Sequence, residues 1–445
     1  MKQHAAALIN EWGLKKMTTE TKIEFREIED SQQRHVRHQG MEAMQVLDVI
    51  EKDFSENPKA MQYFYDLFRD VYCNGIKPHP GKEMIGTMCV QVPDEIIYAA
   101  GGVPVRMCNG FYTDEEVGAE FMPAKSCSLV KASLGMLKSK TNPYSDGIKT
   151  IVNPTTCDQK KKSAGIMKEM GYNVYDMELP PVKESEIGRE YWRRSVRQFT
   201  KEVGKITGNK VTKKGLKKTI SKIGRAQNAY HRLNEARKLV PLPFLGKDMF
   251  IVTNAFFFDD IDRWTLATEK LADEIDQRVI DKHNTAGKRS PRIVFTGSPP
   301  VFPNLKVPLM IEQSDAVIVA DETCSSNRLL NDMVSVDEWF MYDMVDAVAD
   351  RYLKSCTCPI FTMNDDRIRR LIELVRSSKA DGVIYQAFAG CGVYEMEQRS
   401  VAKAMEKEGI PMLYIETDYS PSQGGQLSTR IEAFVESLKA RSRRK

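Results

Sequence analysis

Apolar positions in this chain follow two periods that alternate. Residues 148–152 form a short β-branched run, and Asn153-Pro154 breaks it. A helical period follows, with Ala164, Ile166, Met167 and Met170 on one face behind Asp158, a candidate N-cap. Gly171 closes that helix and residues 173–179 extend again, which makes a unit of the βαβ type. Cys157 sits at its turn, between the carboxyl end of a strand and the start of a helix. Open α/β sheets bind ligands at that position, and a helix N-terminus favours a thiolate.

A lone cysteine there is as readily a small buried residue. Repetition changes the balance. Residues 382–419 repeat the layout: a strand, Gly390-Cys391-Gly392, a helix through Lys407, Gly409 as stop, and a second strand. A third strand run, residues 316–320, opens into Asp321-Glu322-Thr323-Cys324. Three unrelated structural cysteines would not be expected to share one topological position.

The same periods place the remaining elements. Residues 1–75 read as helical and charged, with an apolar face through Met61, Phe64, Tyr65, Leu67, Phe68 and Val71, and Cys73 reads as part of that core. A strand, a short helix starting at Pro93 and a strand ending near Cys108 follow, then a loop containing Cys127 that runs into a helix. Residues 185–240 carry no strand signal and present Leu216, Ile220 and Ile223 on a helical face, and another helix spans residues 261–280. Beyond Pro291 come a strand, a helix, the strand before Cys324, a short strand at 359–362, a helix at 365–377, the Cys391 unit and a closing helix at 427–440. The predicted fold is α/β: two doubly wound parallel-sheet domains at 81–184 and 291–445, a helical N-terminal extension at 1–80 and a helical linker at 185–290.

Composition narrows the function. The 445 residues are 42% hydrophobic and 28% charged, as in a water-soluble globular protein, and no apolar run reaches the roughly eighteen residues of a membrane span. The first residues lack the apolar core of a signal peptide, so a cytoplasmic location is expected. A net charge of +4 is too mild for a dedicated nucleic-acid binder, and the basic runs read as solvated faces, with 160–162, which begins a helix near Cys157, also placed to meet an anionic substrate. Neither a Walker A loop nor a GxGxxG fingerprint occurs. Nine cysteines without a CxxC pair and six histidines without HxxxH disfavour a disulfide framework and a zinc site. Soft sulfur ligands from distant segments suit iron-sulfur chemistry.

The stretches PDEIIYAAGGVPVRMC, PTTCDQKKK, FTGSPP through DETCSSNR, and DGVIYQAFAGCGVYEMEQ followed by GIPMLYIETDYS together resemble the family of 2-hydroxyacyl-CoA dehydratase subunits, benzoyl-CoA reductase subunits and double-cubane cluster proteins. The resemblance runs from Gly81 to the C-terminus. It implies a subunit that holds an iron-sulfur cluster between two α/β domains, works with a homologous partner subunit on an acyl-CoA substrate, and receives low-potential electrons from an ATP-hydrolysing iron-sulfur activator. By position, the family's cluster ligands match Cys127, Cys157 and Cys391.

Further cysteines at Cys89, Cys108, Cys324, Cys356 and Cys358 resemble members with two joined cubanes rather than one [4Fe-4S] cluster, and of these Cys89, Cys324, Cys356 and Cys358 are taken as additional metal ligands. The size and the N-terminal extension look most like a benzoyl-CoA reductase subunit. A dehydratase subunit and a double-cubane reductase of small non-CoA molecules are the alternatives. Glu322 and Glu416, with Asp321, are candidate proton donors at strand ends.

Overall fold

The structure, a computed structural model, describes residues 19–140, 144, 147–287 and 289–443, with side chains from residue 31 onward. The helical reading of residues 1–18 lies outside the described residues.

Helix α1 (Thr19–Asp53) and helix α2 (Gln62–Tyr72) form the N-terminal extension, and α2 buries Phe64, Tyr65, Phe68 and Val71. The first sheet follows: β1 (Met84–Thr87), α3 (Asp94–Ala99), β2 (Val103–Arg106), α4 (Tyr112–Ala119), α5 (Ser128–Ser139), β3 (Ile148–Pro154), α6 (Asp158–Glu169) and β4 (Asn173–Met177). Its strands lie in the order β2-β1-β3-β4, all parallel.

Four helices without strands come next: α7 (Glu186–Ile206), α8 (Lys213–Ala236), α9 (Gly246–Ala255) and α10 (Ile261–Ile280). Side chains of Ser185, Thr212 and Asp260 cap α7, α8 and α10 by accepting from backbone N–H groups of their first turns. The second sheet contains β5 (Arg292–Gly297), α11 (Lys306–Gln313), β6 (Val317–Glu322), α12 (Asn327–Leu330), α13 (Met341–Lys354), α14 (Asp365–Ser377), β7 (Gly382–Phe388), α15 (Gly392–Lys407) and β8 (Met412–Thr417), closed by α16 (Gly424–Ser442). Its order β6-β5-β7-β8, again all parallel, repeats that of the first sheet.

Two doubly wound parallel sheets with a helical extension are therefore present. In each, the strand order reverses beside the first strand, so β1/β3 and β5/β7 are the switch points where such sheets open a crevice at their carboxyl ends. One buried apolar cluster takes in Ile151 of the first sheet, Ile293 and Ile384 of the second, and Phe250 and Trp264 of the intervening helices.

Four local expectations are corrected. Strand β3 does not stop at Asn153 but pairs with β4 through Pro154. Its pairing with β1 ends at Val152, so the missing N–H of Pro154 costs no ladder bond. Asp158 is the first helical residue of α6, and Cys157 occupies the N-cap position. Residues 359–362 are turn rather than strand; Thr362 donates to the Pro181 carbonyl instead of joining a sheet. Cys73 is exposed, because α2 ends at Tyr72 and the chain turns outward there. Helix α4 carried no readable period, since it buries Asp114 and Glu115 where a core helix would place apolar groups. Asp114 is held by His35, Gln39 and Asn109, and Glu115 pairs with Lys131.

Candidate metal centre

Cys127, Cys157 and Cys391 each stand at the N-cap of a helix, α5, α6 and α15 respectively. The structure brings these three starts together. Gln159, in the first turn of α6, accepts from the Cys127 backbone N–H at 2.8 Å and donates to the Gly390 carbonyl at 2.8 Å, so one side chain spans all three loops. Gly390 has φ +77°, and a Cβ there would stand 2.1 Å from the Lys125 carbonyl oxygen. Only glycine allows the Cys391 loop to lie this close to the Cys127 loop. The Cys391 thiol donates to Cys127, which lowers the Cys127 pKa against the opposing effect of burial, and backbone N–H groups of Val130 and Leu129 add to the lowering. The Cys391 pKa is correspondingly raised. Cys157 completes the charge environment of Cys127.

A second group adjoins the first. Cys89 follows β1, Cys108 follows β2, Cys324 follows β6, and Cys356 and Cys358 follow α13. Burial pushes the Cys324 thiol up to about 12, with Arg328 opposing and Cys108 and Cys89 adding to the rise. Burial also raises Cys108, Cys356 and Cys358, and Cys89 acts on all three. Sequence alone leaves Cys108 out of the ligand set, although it follows a strand end as Cys89 and Cys324 do. Lys160 lies between the two groups. Burial opposes its charge, but Cys89, Cys108, Cys157 and Cys324 outweigh it and raise its pKa, and its amine donates to the Met88 carbonyl.

Carboxylates near the second group are already engaged. Glu322 is fully buried, accepts from two nitrogens of Arg328 and from Thr357, and pairs with Arg367. Asp321 is held by Arg237 at 2.7 Å and by Ser326 at 3.0 Å. Glu416 is exposed on the edge strand β8. Arg328, Arg367, Gln159 and Tyr394, which accepts from Arg328 at 3.0 Å, carried no signal in the sequence.

Among the described residues, no three His, Cys, Asp or Glu side chains converge as a single metal ion requires. An iron-sulfur cluster presents its irons at separate corners, so its thiolates surround it rather than meet at a point. Eight cysteines in two adjoining groups are a donor set of that kind. Gln91, two residues after Cys89, is buried with neither side-chain amide atom hydrogen-bonded by the protein, a polar orphan that a bound group would satisfy. The residues fit an iron-sulfur group.

A cavity of about 380 Å³ opens between the N-terminal extension and the second sheet, lined by Glu42, Val46, Tyr112, Lys306, Met310 and Tyr419. Burial raises the Tyr419 pKa, and the charges of Cys127 and Glu115 add to it; its hydroxyl donates to the Asn109 carbonyl at 2.9 Å. No helix among the described residues is long and apolar enough to cross a membrane.

Comparison with known proteins gives a consistent picture. The family described as 2-hydroxyglutaryl-CoA dehydratase, D-component, matches residues 89–438. The putative dehydratase subunit YjiM of Escherichia coli K12 is 31% identical over 366 residues, covering 80% of this chain and 92% of that protein. The (R)-phenyllactyl-CoA dehydratase beta subunit of Clostridium sporogenes is 24% identical over 84% of this chain and 98% of its own. One of the benzoyl-CoA reductase subunits of Thauera aromatica is 24% identical over 81% of this chain and 92% of its own.

Proposed function

The chain belongs to the 2-hydroxyglutaryl-CoA dehydratase D-component family, and on that premise we propose that it is the iron-sulfur catalytic subunit of an acyl-CoA reductase of the benzoyl-CoA reductase type, supplied with electrons by a separate ATP-hydrolysing activator. One observation carries the reading: Cys127, Cys157 and Cys391 stand at three helix starts that Gln159 ties together, and five more cysteines adjoin them. A dehydration returns its electron, whereas a net reduction consumes two per product. A donor set large enough for two joined cubanes suits the second demand.

Bound there, an iron-sulfur group supplies one-electron storage at low potential. The chain's own residues do the rest. Gln159 holds the three ligand loops in register, and the Arg328–Glu322–Arg367 pairing fixes the loop that carries Cys324. Glu322 acts there as a counter-ion. The cavity beside Tyr419 takes the acyl end of the substrate, with Lys306 presenting a cation whose pKa burial lowers. On this reading Tyr419, whose hydroxyl donates to the Asn109 carbonyl, is the proton donor.

A dehydratase is the second reading, favoured by the names of the Escherichia coli and Clostridium sporogenes relatives. Protein purified without oxygen should contain about eight irons with matching acid-labile sulfide if the cubanes are joined, and about four if there is one. With its partner subunit and activator, a reductase consumes ATP and electrons in proportion to product, while a dehydratase needs them only to start. Absence of iron would sink both readings. Many turnovers from a catalytic amount of reductant would leave only the dehydratase.

A further inference from the structure

Lys160 is the third residue of α6, three positions after Cys157, and its amine donates to the carbonyl of Met88, the residue before Cys89. Lys160 thus joins the loop of Cys157, in the first cysteine group, to the loop of Cys89, in the second, and the charges of Cys108 and Cys324 act on it as well. Other cations beside the cysteines are offset by carboxylates. Arg328 is paired with Glu322, Arg106 with Asp94 at 3.6 Å, and Lys183 with Asp366. Lys160 has no carboxylate ion pair among the described residues, and the main groups that favour its charge are cysteines. A half-buried ammonium is favoured where an anion faces it, and cysteine sulfurs ligating an iron-sulfur group supply that anion.

We propose that Lys160 is the fixed counter-charge of the iron-sulfur group and sets its reduction potential. The inference rests on the proposed function and deepens it. Adding one electron makes the group one charge more negative, and a fixed cation between its two halves stabilises the reduced form more than the oxidised form. Lys160 therefore raises the potential and eases electron acceptance from a low-potential donor. It is a positioning residue of charge rather than of shape.

The test compares wild type with Lys160→Met, Lys160→Gln and Lys160→Arg, each loaded without oxygen. Iron is counted first. The midpoint potential is then measured by visible absorbance during titration with titanium(III) citrate and mediator dyes. The neutral variants should be at least tenfold harder to reduce, a shift of about 59 mV or more to lower potential for one electron, while Arg stays close to wild type. Loss of iron in both neutral variants, with native iron and potential in Arg, also supports the charge role. An unchanged potential in an iron-replete Met or Gln variant overturns the inference, as does loss of iron in all three variants. Wild-type protein without iron would instead remove the proposed function itself.

Discussion

The Gln159 side-chain amide donates to the carbonyl of Gly390 across 231 residues of chain, and its oxygen accepts from the backbone N–H of Cys127. Three loops that each present a cysteine are thereby tied at one point. Gln159→Leu removes both bonds and leaves a buried donor and acceptor unpaired, a cost of about 1–3 kcal/mol. A lowered thermal midpoint together with reduced iron retention is expected. Gly390→Ala should be worse, because its Cβ would press on the Lys125 carbonyl in a backbone region unfavourable to L-residues by about 1–2 kcal/mol. Both variants retaining full iron through anaerobic gel filtration would show that the tie is dispensable.

Serine substitutions should sort the cysteines by group. Cys127→Ser, Cys157→Ser and Cys391→Ser should fold yet lose the visible chromophore, since serine is a harder and more basic ligand than thiolate. Cys324→Ser and Cys108→Ser should lose about half the iron if the two groups hold joined cubanes. Cys73→Ser should keep all of it, because Cys73 is exposed at the end of α2. Native iron in both the Cys324 and Cys108 variants would return the protein to a single cluster.

Glu322→Gln tests the buried pairing with Arg328 and Arg367. Neutralising the carboxylate leaves Arg328 without its counter-ion, while Arg367 keeps Glu397 at 2.7 Å, and breaking such a buried pair costs about 3–5 kcal/mol. Urea denaturation of the variant should show a stability loss of that order, with the Cys324 loop becoming more reactive to thiol reagents. A loss under about 1 kcal/mol would mean that Glu397, which also pairs with Arg367, rebalances the charge.

His79 gives a pH signature. It is buried, with Nε2 on the Phe258 carbonyl at 2.7 Å, and burial lowers its pKa below the usual 6.5. The folded state thus binds a proton less readily than the unfolded chain. Its stabilising contribution is complete above pH 6.5 and is lost as pH falls through the interval down to the folded pKa. His79→Gln can keep the bond to Phe258 without titrating. Thermal midpoints of the variant should therefore fall less steeply than wild type below pH 6.5; identical slopes would assign the acid sensitivity to other groups.

The βα units were legible in sequence because their signals are local. The β-branched run of β3, the period of α6 and the stop at Gly171 lie within a few turns of one another, and each acts through its own backbone geometry. The same holds for the Cys391 unit. Where a local rule met a neighbour, it failed. Pro154 reads as a breaker, yet β3 continues through it because β1 has already ended, and α4 hides behind buried acids that need partners from elsewhere.

For the centre, sequence alone determined that several cysteines sit between a strand's carboxyl end and a helix, since a parallel βα turn places both within a few residues. Only the tertiary structure decided which of them meet. The approach of the Cys391 loop to the Cys127 loop depends on Gly390 and Gln159, and the inclusion of Cys108 and Lys160 depends on β1, β2, β6 and α6 opening toward one space. Those relations join side chains far apart in the chain. They arise from how the two sheets pack over a shared core, which no local period encodes.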